Sequence, residues 1–149
     1  MVDKSVIGME TPGATMVVER GKIMEFARAI LDDSPDYFGE DPPIPPTFAM
    51  AQAHWPMPEG GAGQGELFRK LGLDLLRVLH GGQEFEYLGE VKVGDVLTTT
   101  SKIADVYEKE GKKGGTLTFV VSETTFTNQR GEDVLISRST IVQTSKAAS

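Results

Sequence analysis

Apolar residues recur at spacings of three and four between Arg20 and Leu31. The apolar positions are Ile23, Phe26, Ala27, Ile30 and Leu31, and the positions between them include Lys22, Glu25 and Arg28. This period is typical of an amphipathic helix. We expect the helix to end at Asp32–Pro35, because Pro35 disfavours helical geometry at the residue before it.

A second apolar segment, Thr47–Trp55, is rich in small residues and follows a loop that contains Pro42, Pro43, Pro45 and Pro46. The prolines hold that loop extended, and Thr47 is a suitable N-cap for a helix. The segment therefore predicts a second helix, one that a sheet can wrap closely. The glycines at 60, 61, 63 and 65 predict a flexible loop after it, at the mouth of a site.

The rest of the chain has the two-residue alternation and β-branched composition of strands. We expect a short strand at 14–18, a strand from Gln83 onward, and three long strands at 96–108, 116–127 and 133–144. Between 66 and 78 the pattern indicates a short helical turn and an apolar approach to the next strand. Turns at 109–115 and 128–131 join the long strands into an antiparallel meander. Helices first and a meander afterwards indicate an α+β domain.

The loop after the first helix, Asp32-Asp33-Ser34-Pro35-Asp36-Tyr37, resembles the Asp-x-Asn-Pro-x-His signature of MaoC-like hydratases. These proteins have the hot-dog fold and add water to, or remove it from, acyl thioesters. In that family the Asp and the His form the acid/base pair and the Asn supports them. Asp32 matches the Asp and Pro35 the Pro, whereas Ser34 stands in place of Asn and Tyr37 in place of His.

A second stretch, Leu79–Tyr87, is similar to the His-Gly-Glu-Gln stretch in the N-terminal half of double hot-dog R-specific enoyl-CoA hydratases and in small dehydratase subunits. This chain has Gly82 where those proteins have Glu. With Ile44–Phe48 and Val93–Leu97, the resemblance covers residues 15 to 143. The chain is thus identified as a member of the MaoC-like dehydratase N-terminal domain family.

The resemblance implies an α+β hot-dog fold, an antiparallel sheet wrapped around a central helix, and a dimer. It also implies reversible hydration of 2-enoyl thioesters to 3-hydroxyacyl thioesters in fatty-acid metabolism. The reaction needs no metal or redox cofactor, and the only cofactor-like group is the phosphopantetheine that the substrate carries as part of CoA or acyl carrier protein. The partner is a second copy of the chain or a related MaoC-like hydratase subunit.

The candidate catalytic residues are Asp32 and His80. A carboxylate in this position can orient or deprotonate water, and a histidine exchanges protons near neutral pH. Asp32 can equally be a solvated helix-end residue, and His80 a strand-entry histidine bonded to structure. The candidate substrate-binding residues are Tyr37, Pro46, Thr47, Phe48, Gly81 and Gln83, with the backbone at Gly81 able to approach a ligand closely.

Composition narrows the functional classes. The 149 residues carry a formal charge of −7, which disfavours a nucleic-acid-binding surface. Zero cysteines exclude disulfides and thiol catalysis and are compatible with a cytoplasmic location. Two histidines without ligand spacing make no metal site, and the chain has neither an apolar run long enough to span a membrane nor a secretory signal at its N-terminus.

Three functions remain open at this point. The chain is an accessory subunit of a heteromeric dehydratase, a self-sufficient homodimeric hydratase that uses Asp32 or His80, or a non-catalytic acyl-thioester binding protein or thioesterase on the same fold. The expected organisation is a mobile arm at 1–12, a single domain at 13–145 and a tail at 146–149.

Overall fold

The computed structural model describes residues 3–59, 68–112 and 114–145. The predicted glycine loop at 60–65 and the tail at 146–149 lie outside the described residues. The helix α1 spans Arg20–Ala29. The strands are β1 (Glu10–Val17), β2 (Val78–Tyr87), β3 (Val96–Glu110), β4 (Thr116–Thr127) and β5 (Asp133–Gln143). Short 3-10 helices cover Lys4–Val6, Pro35–Phe38, Phe48–His54 and Leu75–Arg77.

The five strands form one antiparallel sheet in the order β1-β3-β4-β5-β2. The predicted meander of β3, β4 and β5 is confirmed. At the β4–β5 turn Gly131 has a φ of 79°, and its N–H donates to the carbonyl of Asn128 over 3.0 Å. Strands β1 and β2 occupy the two edges of the sheet. They begin earlier than the sequence predicted, at Glu10 and at Val78.

One face of the sheet, here called the inner face, carries two separate apolar clusters. The first cluster packs α1 and the segment after the proline loop onto the sheet, and Phe26 meets Phe48 edge to face with ring centres 5.6 Å apart. The second cluster packs Phe68, Leu71 and Leu73 against the far ends of the strands. The sheet therefore wraps around helical segments, as the hot-dog fold requires.

The predicted helix at Thr47–Trp55 is wrong in type. The chain forms a 3-10 helix at Phe48–His54, and Thr47 occupies the N-cap position without a capping hydrogen bond from its side chain. Prolines at 46 and 56 flank the segment, and so short a segment does not nucleate an α-helix readily. Phe48 and Ala51 are both buried, and their spacing of three matches the 3-10 period.

No described helix is long and apolar enough to cross a membrane. The division into an arm, a domain and a tail stays a prediction.

The opposite, outer face carries an ion-pair network that crosses four strands. Glu123 on β4 accepts from Lys102 on β3 at 2.9 Å and from Arg138 on β5 at 2.8 Å, and Arg138 also reaches Glu86 on β2 at 2.8 Å. The hydrogen bond from Lys102, followed by the one from Arg138, holds the pKa of Glu123 below its ordinary 4.5 although burial opposes this. The network ties together strands that are distant in sequence.

We expect Glu123→Gln to lower the free energy of unfolding by about 1 kcal/mol at neutral pH. A lowered pKa stabilises the fold above the ordinary value of 4.5, and this contribution is lost as the pH falls through the folded-state pKa. The difference between the two proteins in urea unfolding should therefore shrink in acid. Glu90→Gln, which removes only the exposed pair with Lys92, is the matched control. Equal losses at neutral and acid pH would contradict the prediction.

The helix α1 ends in a left-handed residue. Leu31 has a φ of 59° and is 91% exposed, while the N–H of Asp32 donates to the carbonyl of Ala27 over 2.9 Å and the N–H of Leu31 to that of Arg28 over 3.1 Å. This is the hydrogen-bond pattern of a Schellman cap, in which glycine is the favoured residue.

Leu31→Gly is expected to raise the free energy of unfolding by about 1 kcal/mol, because glycine adopts positive φ without the steric cost that leucine incurs. Thermal and urea unfolding measure the change. Ala29→Gly, within the right-handed part of the helix, should instead destabilise the protein. A Leu31→Gly variant that is no more stable than the parent would show that the left-handed residue costs nothing here.

Candidate functional site

The three meander strands share one pattern on the inner face. At successive inward positions each strand has an apolar residue, two hydroxyl residues and another apolar residue. The sets are Leu97, Thr99, Ser101 and Ile103 on β3; Val120, Ser122, Thr124 and Phe126 on β4; and Leu135, Ser137, Ser139 and Ile141 on β5. We call the six hydroxyl residues the hydroxyl band. It runs across the sheet between the two apolar clusters.

The sheet register brings these hydroxyl residues side by side. Ser101 lies opposite Thr124, Thr124 lies opposite Ser137, and Ser122 lies opposite Ser139. The Ser101 and Thr124 hydroxyls are 2.8 Å apart and hydrogen-bonded, and Thr99 Oγ1 donates to the carbonyl of Ala14 over 3.0 Å. Ser139 is 9% exposed, yet within the part of the chain that the structure describes its Oγ has no hydrogen-bond partner. The band is therefore only partly satisfied by the protein.

A cavity of about 250 Å³ lies over the hydroxyl band. Its polar wall is the band together with Gln83, and its opposite wall comes from the segment of the 3-10 helix and the residues after it. The second wall contains Met50, Gln52, Ala53, Trp55 and Met57, and Gly13 lies at the side. Thioether, methyl and indole groups thus face a row of hydroxyls.

Gln83 connects the cavity to His80 at the sheet edge. Gln83 Nε2 donates to Ser137 Oγ over 2.6 Å, and Gln83 Oε1 lies 3.3 Å from His80 Nε2. An amide oxygen only accepts, so Nε2 is the donor in this contact. His80 itself is exposed.

A β-bulge between His80 and Gly82 produces this arrangement. Gly81 is the residue left out of the ladder, and a Cβ on it would lie 2.7 Å from the Cγ2 of Val142. Only glycine lets β2 approach β5 this closely. The close contact at Gly81 is thus with β5, and approach of its backbone to a ligand stays a prediction.

The signature loop, Asp32–Tyr37, is not part of the described cavity lining. Asp32 Oδ1 accepts from the N–H of Ser34 over 3.1 Å, the N–H of Tyr37 donates to the carbonyl of Ser34 over 3.2 Å, and the Tyr37 ring packs on the first apolar cluster. The described residues that line the cavity include Gln83 but not Asp32, Tyr37 or His80. The two candidate catalytic residues are thus not gathered in this cavity.

The other predicted substrate-binding residues, Pro46, Thr47 and Phe48, lie at the start of the segment that forms the second wall of the cavity. Pro46 is exposed, and its carbonyl accepts from the Tyr87 hydroxyl over 2.7 Å; burial raises the pKa of that phenol. Thr47 is exposed. Phe48 is 1% exposed and lies in the first apolar cluster, so its side chain supports the segment from below. Substrate contact by these residues stays a prediction.

Sequence reasoning missed the hydroxyl band. The signal was present as paired hydroxyl residues at the same phase of three neighbouring strands, interrupting an otherwise apolar inner face. Threonine and serine also occur on outward positions of the same strands, so the pattern becomes visible only when the strands are aligned in register.

Comparison with known proteins shows which family has this sequence and fold. A family model described as "FAS1-like, dehydratase domain region" matches residues 5–137. A UPF0336 protein of Saccharopolyspora erythraea is 34% identical, and the match covers 95% of this chain and 90% of the relative. A UPF0336 protein of Thermobifida fusca is 35% identical, with 84% of this chain and 82% of the relative covered.

Two solved structures share the fold. One is the C-terminally truncated HadBC (3R-hydroxyacyl-ACP dehydratase) complex from Mycobacterium tuberculosis, with a TM-score of 0.71, 26% identity, and coverage of 92% of this chain and 96% of that one. The other is a MaoC-like dehydratase with a TM-score of 0.76 and 21% identity, covering 93% of this chain and 42% of that one. The chain therefore belongs to the FAS1-like dehydratase-region family of MaoC-like hot-dog proteins, together with the UPF0336 proteins.

Proposed function

We propose that this chain is the substrate-binding subunit of a heteromeric hydratase/dehydratase that interconverts 2-enoyl and 3-hydroxyacyl thioesters of CoA or acyl carrier protein in fatty-acid metabolism. A related MaoC-like chain supplies the acid/base pair. The substrate brings its own phosphopantetheine arm.

The observation that carries this proposal is that Asp32 and Tyr37 are not among the described residues that line the cavity. Hydration of an enoyl thioester needs one group that takes a proton from water and one that delivers a proton to the carbon next to the carbonyl. In this chain Tyr37 replaces the signature histidine, and a phenol with a pKa of about 10 is a poor base at neutral pH. The cavity meanwhile presents an apolar wall to an acyl chain.

The second support is the HadBC complex, whose name describes a 3R-hydroxyacyl-ACP dehydratase and whose matched chain is 26% identical. A chain of the same fold and nearly the same length acts there within a complex. The same pairing is proposed here, with homodimerisation as the alternative.

His80 favours the runner-up function, a self-sufficient hydratase. It is exposed beside the cavity, and Gln83 and Ser137 continue from it as a hydrogen-bonded chain. Under the subunit proposal, the hydrogen bonds with His80 and Ser137 orient Gln83. The backbone at the Gly81 bulge faces the thioester carbonyl.

The proposed docking edge is β2. It is an edge strand, and five described apolar residues on it or next to it are exposed: Leu75 at 55%, Leu76 at 80%, Leu79 at 47%, Tyr87 at 41% and Leu88 at 50%. Unpaired strand edges with apolar side chains favour association with another chain. Pairing along β2 would place the partner beside His80.

Turnover is tested by following enoyl-thioester absorbance with crotonyl-CoA and a longer trans-2-enoyl-CoA. The chain is used alone and with a MaoC-like chain from the same organism that carries the intact Asp-x-Asn-Pro-x-His signature. We expect silence alone and a rate at least about a hundredfold higher with the partner, because acid/base catalysis contributes that much.

Three outcomes would contradict this expectation. Turnover by the chain alone that is lost in His80→Ala or Asp32→Ala would establish a self-sufficient hydratase. Release of free thiol would indicate a thioesterase. Binding without turnover, even with the partner, would indicate a non-catalytic acyl-thioester binding protein.

Leu79→Lys is expected to raise the dissociation constant for the partner chain at least about tenfold, because an unpaired ammonium buried in an interface costs more than ~1.4 kcal/mol. Light scattering after size exclusion, with circular dichroism to check the fold, measures the change. Val17→Lys is the matched control, since Val17 is 40% exposed and lies on β1, at the opposite edge of the sheet. Equal weakening by both variants would remove β2 as the docking edge.

A further inference from the structure

The hydroxyl band does not fit a pocket made only for a hydrocarbon chain. Six hydroxyl residues and Gln83 line one wall of the cavity, on a sheet face that is apolar on both sides of the band. Thr99, Thr124, Ser137 and Ser139 are each no more than 9% exposed. Burying polar groups is unfavourable unless each finds a hydrogen-bond partner.

The protein itself does not provide all of these partners. Thr99, Ser101 and Thr124 are bonded to other protein groups, and Ser137 accepts from Gln83. The Ser122 hydroxyl reaches the Ser139 carbonyl only at 3.5 Å, a long contact. Ser139 is nine-tenths buried and lines the cavity, and its Oγ has no hydrogen-bond partner among the described residues. An orphaned hydroxyl in such a position calls for a bound polar atom.

The opposite wall of the cavity limits which chemical groups the ligand can carry. Met50, Ala53, Trp55 and Met57 offer carbon and sulfur surface, which suits an aliphatic or flat apolar body. A ligand that fills the cavity is therefore apolar on one side and carries oxygen on the other. The described lining contains no charged residue, so the oxygen is neutral.

The volume of the cavity further limits which ligand can fill it. A volume of about 250 Å³ holds about eight water-sized groups, at some 30 Å³ each. This is below the usual range for a whole ligand and fits a segment of an acyl chain.

We propose that the cavity selects acyl thioesters whose chain carries, beyond the third carbon, a further neutral oxygen substituent, a hydroxyl or keto group, positioned to hydrogen-bond with Ser139 and its neighbours Ser122 and Ser137. The inference rests on the proposed function and names the substrate class of that same site. A hydroxyl on the chain donates to or accepts from Ser139 Oγ, and a keto oxygen accepts from it. A plain alkyl chain would displace water from the band and leave Ser139 unbonded. Sites built to hydrogen-bond a substrate hydroxyl discriminate against analogues that lack it.

The test compares straight-chain saturated acyl-CoAs with the same chains bearing one hydroxyl or keto group at successive positions beyond the third carbon. Binding is measured by calorimetry, with the chain alone and with the partner chain described above. We expect one substituent position at which the oxygenated ligand binds at least about tenfold more tightly than the plain chain. Ser139→Ala should abolish that preference.

The controls separate binding from structure. Thr100→Ala removes an exposed hydroxyl from the outer face of the same sheet and should leave the preference intact. Ser139→Ala should also have an unchanged or higher melting temperature, because the Ser139 hydroxyl forms no hydrogen bond with the described residues. A large fall in its melting temperature would show that the hydroxyl is structural and would overturn the assignment.

The other outcomes are equally decisive. Equal or tighter binding of plain chains at every substituent position overturns this inference and leaves the proposed function standing. A preference that survives in Ser139→Ala also overturns it, since the selecting group then lies outside the band. Failure of every acyl-CoA to bind, with or without the partner, overturns the proposed function and the inference together.

Discussion

The main physical constraint in this protein is the covering of one face of a five-stranded sheet. The strands are long, up to the fifteen residues of β3, whereas α1 has only ten residues and the segment after the proline loop forms a seven-residue 3-10 helix. Two apolar clusters cover the ends of the inner face, and neither extends over the middle. The middle is where the hydroxyl band lies and where the cavity forms.

Strand register gives the two faces of the sheet their different chemistry. Lys102, Glu123 and Arg138 form the ion-pair row on the outer face, and the neighbouring residues Ser101, Ser122, Thr124, Ser137 and Ser139 form the band on the inner face. Side chains alternate along a strand, so a slip of one residue would bury the charges and expose the hydroxyls. The outer network therefore stabilises the register on which the inner cavity depends.

The candidate site residues come from parts of the chain that are distant in sequence. The signature loop closes a helix end and packs Tyr37 into the first apolar cluster, whereas His80 and Gln83 lie at the edge strand near the cavity. Under the proposed function, this chain binds the thioester and a partner chain supplies the acid/base pair. The exposed apolar residues along β2 favour a second chain next to the cavity, which is how a complementary acid/base pair would reach the substrate.

The sequence by itself determined the first helix, the three long strands, the turn at Asn128–Gly131 and the membership of a MaoC-like family, because these depend on local periodicity, turn chemistry and short motifs. It did not predict the 3-10 geometry of Phe48–His54, which depends on flanking prolines and on packing against the sheet. Nor did it reveal the cavity. Ser101, Ser122 and Ser139 are unremarkable in separate strands, and only antiparallel pairing places them side by side beneath Trp55 and Met57. The tertiary structure decided the candidate site because hydrogen-bonding partners and their absence are properties of neighbours in space.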